Sequence, residues 1–307
     1  MMPIHKHDLD EDGEAVWRYQ EGQSLPGGAL AVDRLGVGTR CETWLAWSTH
    51  LWCPVLVKLA RPHQTANQRA IRSLRREVTA LTGATHPALP RLIADGTNDA
   101  VPHLLMEYID GPALDEELHR VGPIPVTDAA LLGVQILAAV ADLHRRGLVH
   151  LDLKPANIVL RDGRPVVVDF GSTRRIGTPQ PTGHPVGTAG YAAPEQEECR
   201  PISPTMDCYG VGSILYEALI DDIDGFPTLP LELSPIVIGL LATEPAHRLT
   251  VPQAMLALAR KIPADRRPWP KWADRHLPTH KSQAAPRRGG GITLDARESL
   301  GQARLRG

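Results

Sequence analysis

A chain of 307 residues with 42% hydrophobic and 22% charged residues is long enough for two packed cores and has the make-up of a water-soluble globular protein. A net charge of −2 gives no global reason to expect a nucleic-acid partner, and no run approaches the roughly 18 to 20 apolar residues that a membrane span needs. The acidic start, MMPIHKHDLDEDGE, lacks the apolar core of a signal peptide, and four cysteines without CxxC or Cys/His ligand spacing read as free thiols of a reducing cytoplasm.

Residues 1–27 carry six acids against two bases and read as a mobile, solvated extension, although Trp17 and Tyr19 have the means to dock it. From Ala29 the pattern is strand-like, and Gly36 and Gly38 sit between two apolar segments. A glycine turn between strands lets backbone amides approach phosphates without side chains in the way. Val55–Ala60 reads as a strand with Lys58 inside it, and a lysine there is expensive to bury unless it is paired. In the next helix Ile71, Leu74, Val78 and Leu81 recur at helical spacing and define the buried face. Glu77 borders that face, Arg75 and Arg76 point away, and Gly83 ends the helix. Strands follow around Leu92–Ala94 and His103–Tyr108. A long helix then runs through TDAALLGVQILAAVADLHRR, with Thr127 expected as its cap and Gly147 just beyond it. Its apolar stretch from Ala129 to Leu143 contains Gln135 and Asp142 and reads as a buried core helix rather than a membrane span.

The densest chemistry lies from His150 to Gly171, HLDLKPANIVLRDGRPVVVDFG. Asp152, Lys154 and Asn157 sit on a short loop that cannot be continuous helix, because Pro155 follows Lys154. Ile158–Leu160 reads as a strand, Asp162-Gly163 as a turn and Pro165–Val168 as the returning strand. Such a hairpin brings Asp169 back beside Asn157. Two acids, an amide and an ammonium form the inventory for holding Mg²⁺ against a polyphosphate while a carboxylate orients a hydroxyl.

HLDLKPAN followed by DFG resembles the catalytic and metal-binding loops of the eukaryotic-type (Hanks-type) protein kinases, here of the soluble bacterial kind, and the Lys two residues after the Asp resembles the serine/threonine branch. The resemblance spans about residues 30 to 262. It implies an α+β, two-lobed protein-kinase fold: an antiparallel-sheet N-lobe with one main helix over 28–108, and a mostly helical C-lobe over 109–262. It also implies transfer of the ATP γ-phosphoryl group to protein Ser or Thr hydroxyls. By that pattern Asp152 is the catalytic base, Lys154 contacts the transferred phosphoryl group, and Asn157 and Asp169 hold Mg²⁺ (or Mn²⁺). Lys58 contacts the ATP phosphates and pairs with Glu77. Gly36 and Gly38 belong to the glycine-rich loop. Met106 stands beside the adenine, and backbone groups of Glu107 and Ile109 bond the base edge. Thr188 bonds near Asp152 and Lys154, Glu195 pairs with Arg248, and Asp207 braces the catalytic loop.

Three departures bear on function. Cys41 stands where the loop's third glycine would be, with Thr43 where its valine would be. Leu151 replaces the arginine that receives an activation-loop phosphate, which implies weak dependence on such phosphorylation. Only DDIDGFPTLPLELS separates the helix ending near Ile220 from the next apolar helix, so the C-lobe reads as trimmed there. These departures motivate a second reading, a kinase fold serving as nucleotide-binding scaffold. A third, a small-molecule kinase, is opposed by Lys154 and the GTAGYAAPE segment. Residues 263–307, with ten basic residues against four acids and the run Gly289–Gly291, read as a solvated linker, with Trp269 and Trp272 packing onto the C-lobe.

Overall fold

A computed structural model of the chain describes residues 7–9, 13–223 and 226–268. In chain order these form β1 (His7–Leu9), β2 (Ala15–Trp17), β3 (Leu30–Val37), β4 (Cys41–Ser48), β5 (Cys53–Ala60), α1 (Gln68–Leu81), β6 (Leu92–Gly96) and β7 (His103–Glu107). There follow α2 (Leu114–Val121), α3 (Val126–Arg145), β8 (Leu148–Val149), β9 (Ile158–Arg161), β10 (Arg164–Val167) and β11 (Arg174–Arg175). The remainder is α4 (Pro194–Glu197), α5 (Pro204–Leu219), β12 (Asp221–Ile223), β13 (Phe226–Thr228), α6 (Ser234–Leu240) and α7 (Val251–Ala259).

The chain separates into two compact units, and the division is not the single cut after residue 108 that the sequence suggests. One unit runs to Pro112 and resumes over Asn157–Arg174; the other takes Ala113–Ala156 and the chain from Arg175. The β9–β10 hairpin belongs with the first unit because its backbone is bonded there. Leu160 N–H donates to the Pro112 carbonyl at 2.9 Å and Val167 N–H to the Ala88 carbonyl at 3.0 Å. Gly111, at φ 146°, passes so close that a Cβ would lie 2.2 Å from the Leu160 oxygen, which only glycine tolerates.

In the first unit an antiparallel sheet of order β3-β4-β5-β7-β6 forms the scaffold. Strand alternation sends Val55, Val57 and Leu59 to one face and Leu56 and Lys58 to the other. The Val57 face packs with Trp44, Ala46 and Leu105. Trp17, Tyr19 and Leu25 complete that core, so the expectation of a mobile extension fails for residues 15–25. The physical reason is the apolar face itself, which needs a cover, and the Trp17 indole N–H finds the Ala60 carbonyl at 2.8 Å while its ring is buried. Tyr19 packs edge-on to Trp44 with centroids 5.5 Å apart. The acids at 10–12 lie outside the described residues. α1 is capped by Asn67, whose side chain accepts from Arg69 N–H at 2.8 Å, and Gly83, at φ 70°, follows its end.

In the second unit α3 packs against α5 and α7, and α6 against α5. α3 is, among the described residues, the one helix long and apolar enough to cross a membrane by length and composition; half of that window is buried inside the fold. Thr127 does not cap it. The helix starts one residue earlier, behind Pro125, whose fixed φ of −58° begins the turn and whose carbonyl accepts from Asp128 N–H and Ala129 N–H. Arg248 and Glu195 form the expected pair, through Nη1 at 2.5 Å and Nη2 at 2.9 Å, both groups buried. Where the sequence shows only a short link after α5, the backbone forms a hairpin, β12–β13. The tail from 269 on, with Trp269 and Trp272, lies outside the described residues.

Trp17→Ala removes a buried indole and its hydrogen bond and should destabilise the protein by about 3 kcal/mol, lowering the melting temperature by roughly 6–10 °C. Thermal unfolding of the full chain measures this; a shift under a degree or two would show the segment contributes nothing to the core.

Candidate active site

The two units each carry a part of the predicted constellation. In the first, Lys58 projects from β5 on the face away from Trp17, toward α1. Its ammonium donates to Glu77 Oε1 at 2.5 Å and to Asp169 Oδ1 at 3.0 Å. Glu77 does more than border the helix's buried face: it is 1% exposed, against 16% for Lys58 and 47% for Asp169. Burial pushes the Glu77 carboxyl up to about 7, with the Lys58 charge pulling against it and Asp169 adding to the rise. For Lys58, burial works downward, but the carboxylates of Glu77 and Asp169 outweigh it and hold the ammonium above the usual lysine value.

Asp169 comes into reach through the hairpin. Asp162 and Gly163 both have positive φ (48° and 74°), the backbone of a two-residue type I′ turn, and β9 and β10 pair from Ile158↔Val167 to Arg161↔Arg164. Val168 N–H then donates to the Asn157 carbonyl at 2.9 Å, so Asn157 and Asp169 stand at adjoining ends of the two strands, as the turn implies. Asp169 itself adopts a left-handed backbone, φ 60°, and its Oδ1 also accepts from Gly171 N–H at 3.3 Å. Ser73 of α1 donates to the Gly171 carbonyl at 3.4 Å, which seats this segment on the same helix that carries Glu77.

The glycine turn joins β3 and β4. Gly38 N–H donates to the Cys41 carbonyl at 2.9 Å, the β3–β4 register slips between Arg34 and Gly36, and a Cβ on Gly36 would meet nothing within 4 Å. Cys41 is buried, and burial pushes its thiol up to about 12, so it remains a compact neutral group. Met106 and Ile109 are buried. The Glu107 side chain is held by Arg91 at 3.3 Å and Arg161 at 2.9 Å, and its backbone N–H donates to the Arg91 carbonyl at 2.9 Å. Of its backbone groups, the carbonyl is the one left to offer a ligand.

In the second unit Thr188 links the two charged groups of the His150–Lys154 loop. Its hydroxyl donates to Asp152 Oδ1 at 2.6 Å and accepts from Lys154 Nζ at 2.8 Å, with Lys154 3.8 Å from Asp152 Oδ2. The loop is braced from below by Asp207 in the first turn of α5. Asp207 Oδ2 accepts from His150 N–H at 2.9 Å and His144 Nε2–H at 2.8 Å, and Oδ1 accepts from Leu151 N–H at 2.9 Å. Burial alone would raise the Asp207 carboxyl; the bonds from His144 and Leu151 and the nearby histidines reverse that and hold it below its usual value. Leu151, with φ 71°, tucks its side chain into an apolar cluster with Val149, Ala193, Ile202 and Met206. Gln196, not singled out by the sequence, donates from Nε2 to the Leu151 carbonyl at 2.7 Å and also to the Val186 carbonyl.

Replacing Lys58 by Met tests the electrostatics. A carboxyl whose folded-state value is raised binds more protons folded than unfolded, so the stability it contributes is lost as pH rises from about 4.5 through about 7. Without its cation Glu77 shifts further up, and that window extends to higher pH. Lys58→Met should therefore lower the melting temperature, with a deficit that grows from about pH 6 to about pH 8 and reaches roughly 3 kcal/mol at the alkaline end. Melting curves across that range measure it; a pH-independent deficit would show that Glu77 carries no proton-linked cost.

The family model described as the protein kinase domain matches residues 31–224, more than half of the chain. Among curated proteins, the serine/threonine-protein kinase PkaA of Streptomyces coelicolor is 35% identical over 229 residues, 69% of this chain and 40% of that protein. The probable serine/threonine-protein kinase SCO3848 of the same organism is 34% identical over 194 residues, 60% of this chain and 29% of its own length. PknB of Mycobacterium leprae, a serine/threonine-protein kinase, is 32% identical over 195 residues, 61% of this chain and 31% of its own. The chain thus spans well under half the length of these relatives. The domain match, the antiparallel-sheet and helical parts of the fold and these bacterial relatives together place the chain in the protein kinase family, Hanks type.

Proposed function

We propose that this chain is a protein serine/threonine kinase that transfers the γ-phosphoryl group of ATP to protein Ser or Thr hydroxyls, its own among them. The observation that carries the reading is the Asp152–Thr188–Lys154 arrangement, in which a carboxylate accepts from an aliphatic hydroxyl while an ammonium donates to the same oxygen. A carboxylate that orients a hydroxyl, with a cation beside it for charge on the transferred group, is what phosphoryl transfer asks of a protein. In this reading Asp152 accepts the proton of the incoming Ser or Thr hydroxyl and Lys154 steadies the phosphoryl oxygens. Lys58, fixed by Glu77, binds the ATP phosphates, and the Gly36–Gly38 turn lies against them. The base rests beside Met106, with the Glu107 carbonyl and Ile109 N–H at its edge. The neutral Cys41 adds no charge against the phosphates.

Asn157 and Asp169 offer one amide and one carboxylate oxygen, hard ligands that suit Mg²⁺ (or Mn²⁺). Among the described residues no group of three or more His, Cys, Asp or Glu stands together, which fits an ion held by few protein oxygens plus the phosphates. The ion, when bound, neutralises charge on the phosphates. The four free cysteines and the chain's net charge of −2 support a cytoplasmic setting and protein rather than nucleic-acid partners.

Transfer of labelled phosphate from Mg-ATP to the protein and to a generic basic acceptor tests the reading. Label on Ser or Thr is expected, with Asp152→Asn and Asp169→Ala each reducing it by at least about a hundredfold. No label, with ATP still raising the melting temperature, would leave a nucleotide-binding scaffold, and label on small alcohols alone would indicate a small-molecule kinase. Because Leu151 fills its site with apolar contacts and offers no cation to a phosphate, phosphatase treatment should leave kcat within about twofold. A collapse of activity after phosphatase would overturn that expectation.

A further inference from the structure

Alternation along β4 places Glu42 on the same face as Trp44 and Ala46, the apolar face of the sheet, and there it is 0% exposed. A carboxylate in such a place needs donors. It has them from the docked N-terminal segment and its neighbour: Trp17 N–H donates to Oε1 at 2.8 Å and the Trp44 indole N–H to Oε2 at 3.2 Å. Arg34 lies 4.0 Å away, and the Arg61 charge also acts on the carboxylate.

Arg61, directly after β5, is buried and spans the distance from this segment to the glycine turn. Its Nε donates to the Ala15 carbonyl at 3.3 Å, its Nη1 to the Gly38 carbonyl at 3.2 Å, and its backbone N–H to the Arg40 carbonyl at 3.0 Å. Next to it His63 stands 3.3 Å from Glu14, a second tie to the N-terminal segment. One guanidinium therefore bonds the carbonyl of an added N-terminal strand and the carbonyl of the residue that opens the turn.

We propose that Ala15–Trp17, acting through Arg61, holds the Gly36–Gly38 turn in the position that receives nucleotide phosphates, so that Arg61 is a positioning residue for nucleotide binding. The proposal rests on the reading of that turn as the phosphate site. A turn whose third glycine is replaced by Cys41 has one residue fewer that relaxes freely, and its backbone is pinned from behind at the carbonyls of Gly38 and Arg40. Removing the side chain of Arg61 releases the Gly38 carbonyl and the tie to Ala15, while the backbone bond to Arg40 and the sheet's own ladder remain.

The test uses the full chain with Arg61→Met, Arg61→Lys and, should Arg61→Met fail to fold, Glu42→Gln as a milder variant acting on the same ties. Amide exchange of residues 36–41 without nucleotide reads the turn itself; steady-state kinetics read its use. Arg61→Met should speed exchange in the turn and raise the KM for ATP about tenfold, with kcat falling by less than about half, and Arg61→Lys should lie between the two proteins. Glu42→Gln should move both readouts the same way by a smaller factor. Unchanged exchange, or KM unchanged although the turn loosens, would overturn the proposal, as would a proportional fall of kcat with folded fraction. If the unmutated chain showed no melting shift with ATP, the underlying reading of the turn would fall, and with it the role assigned to Arg61 in nucleotide binding.

Discussion

A primary ammonium on the inner face of a central strand has to be met by carboxylates, and in this protein that requirement organises the first unit. Lys58 draws Glu77 from α1 and Asp169 from beyond the hairpin onto one nitrogen, at 2.5 and 3.0 Å. The pair stabilises little in net terms, because desolvation offsets most of the attraction, yet it is costly to break from one side. Its value is therefore positional. With Glu77 almost wholly buried, α1 cannot slide or rotate along β5 without leaving a carboxylate in an apolar core. Ser73, four residues before Glu77, ties the same helix to Gly171 and so to the segment that carries Asp169.

The sheet faces two ways, and each face contains a buried acid with a different remedy. On the α1 side the remedy is a cation. On the Trp17 side Glu42 is met chiefly by neutral donors, a backbone N–H and an indole N–H, with arginine charge farther off. Neutral donors satisfy a carboxylate less fully than an ammonium does, and burial keeps the Glu42 carboxyl above its ordinary value despite them. The acid and the segment that covers it are thus interdependent: without Trp17 the face is both uncovered and short of a donor.

Much of this was readable from local chemistry. The Asp-Gly turn predicts the hairpin, and the hairpin predicts the neighbourhood of Asn157 and Asp169. Alternation around Lys58 predicts a buried cation, and the spacing of Ile71, Leu74 and Leu81 places Glu77 on the correct helix face. What the sequence hid had no local signature. The acidic composition of residues 1–27 masked the docking of Trp17, since the apolar face it covers lies more than twenty-five residues on. Glu42 gives the one available hint, an acid at an alternation position that must be buried. α2 escaped notice because Ala113 at its cap has no side-chain acceptor, leaving only the reach of Glu116 back to the Ala113 N–H at 3.4 Å. β12–β13 interrupts a stretch whose prolines and acids argue for loop.

Two non-glycine residues at or next to predicted site positions, Leu151 in one unit and Asp169 in the other, sit in the left-handed backbone region at φ 71° and 60°. Each such residue costs on the order of 1–3 kcal/mol and persists only where its surroundings over-determine it. Leu151 is held by the bond from its N–H to Asp207, by Gln196 on its carbonyl and by an apolar cluster around its side chain. Asp169 is held by Lys58 and by the pairing of β9 with β10. Glycine at either position would remove the strain and the constraint together. At 151 it would also empty the apolar cluster; at 169 it would remove the carboxylate. The backbone is kept in these conformations because the side chains are needed where they are: α5 and its neighbours hold Leu151 within one unit, and the sheet, through Lys58, holds Asp169 within the other.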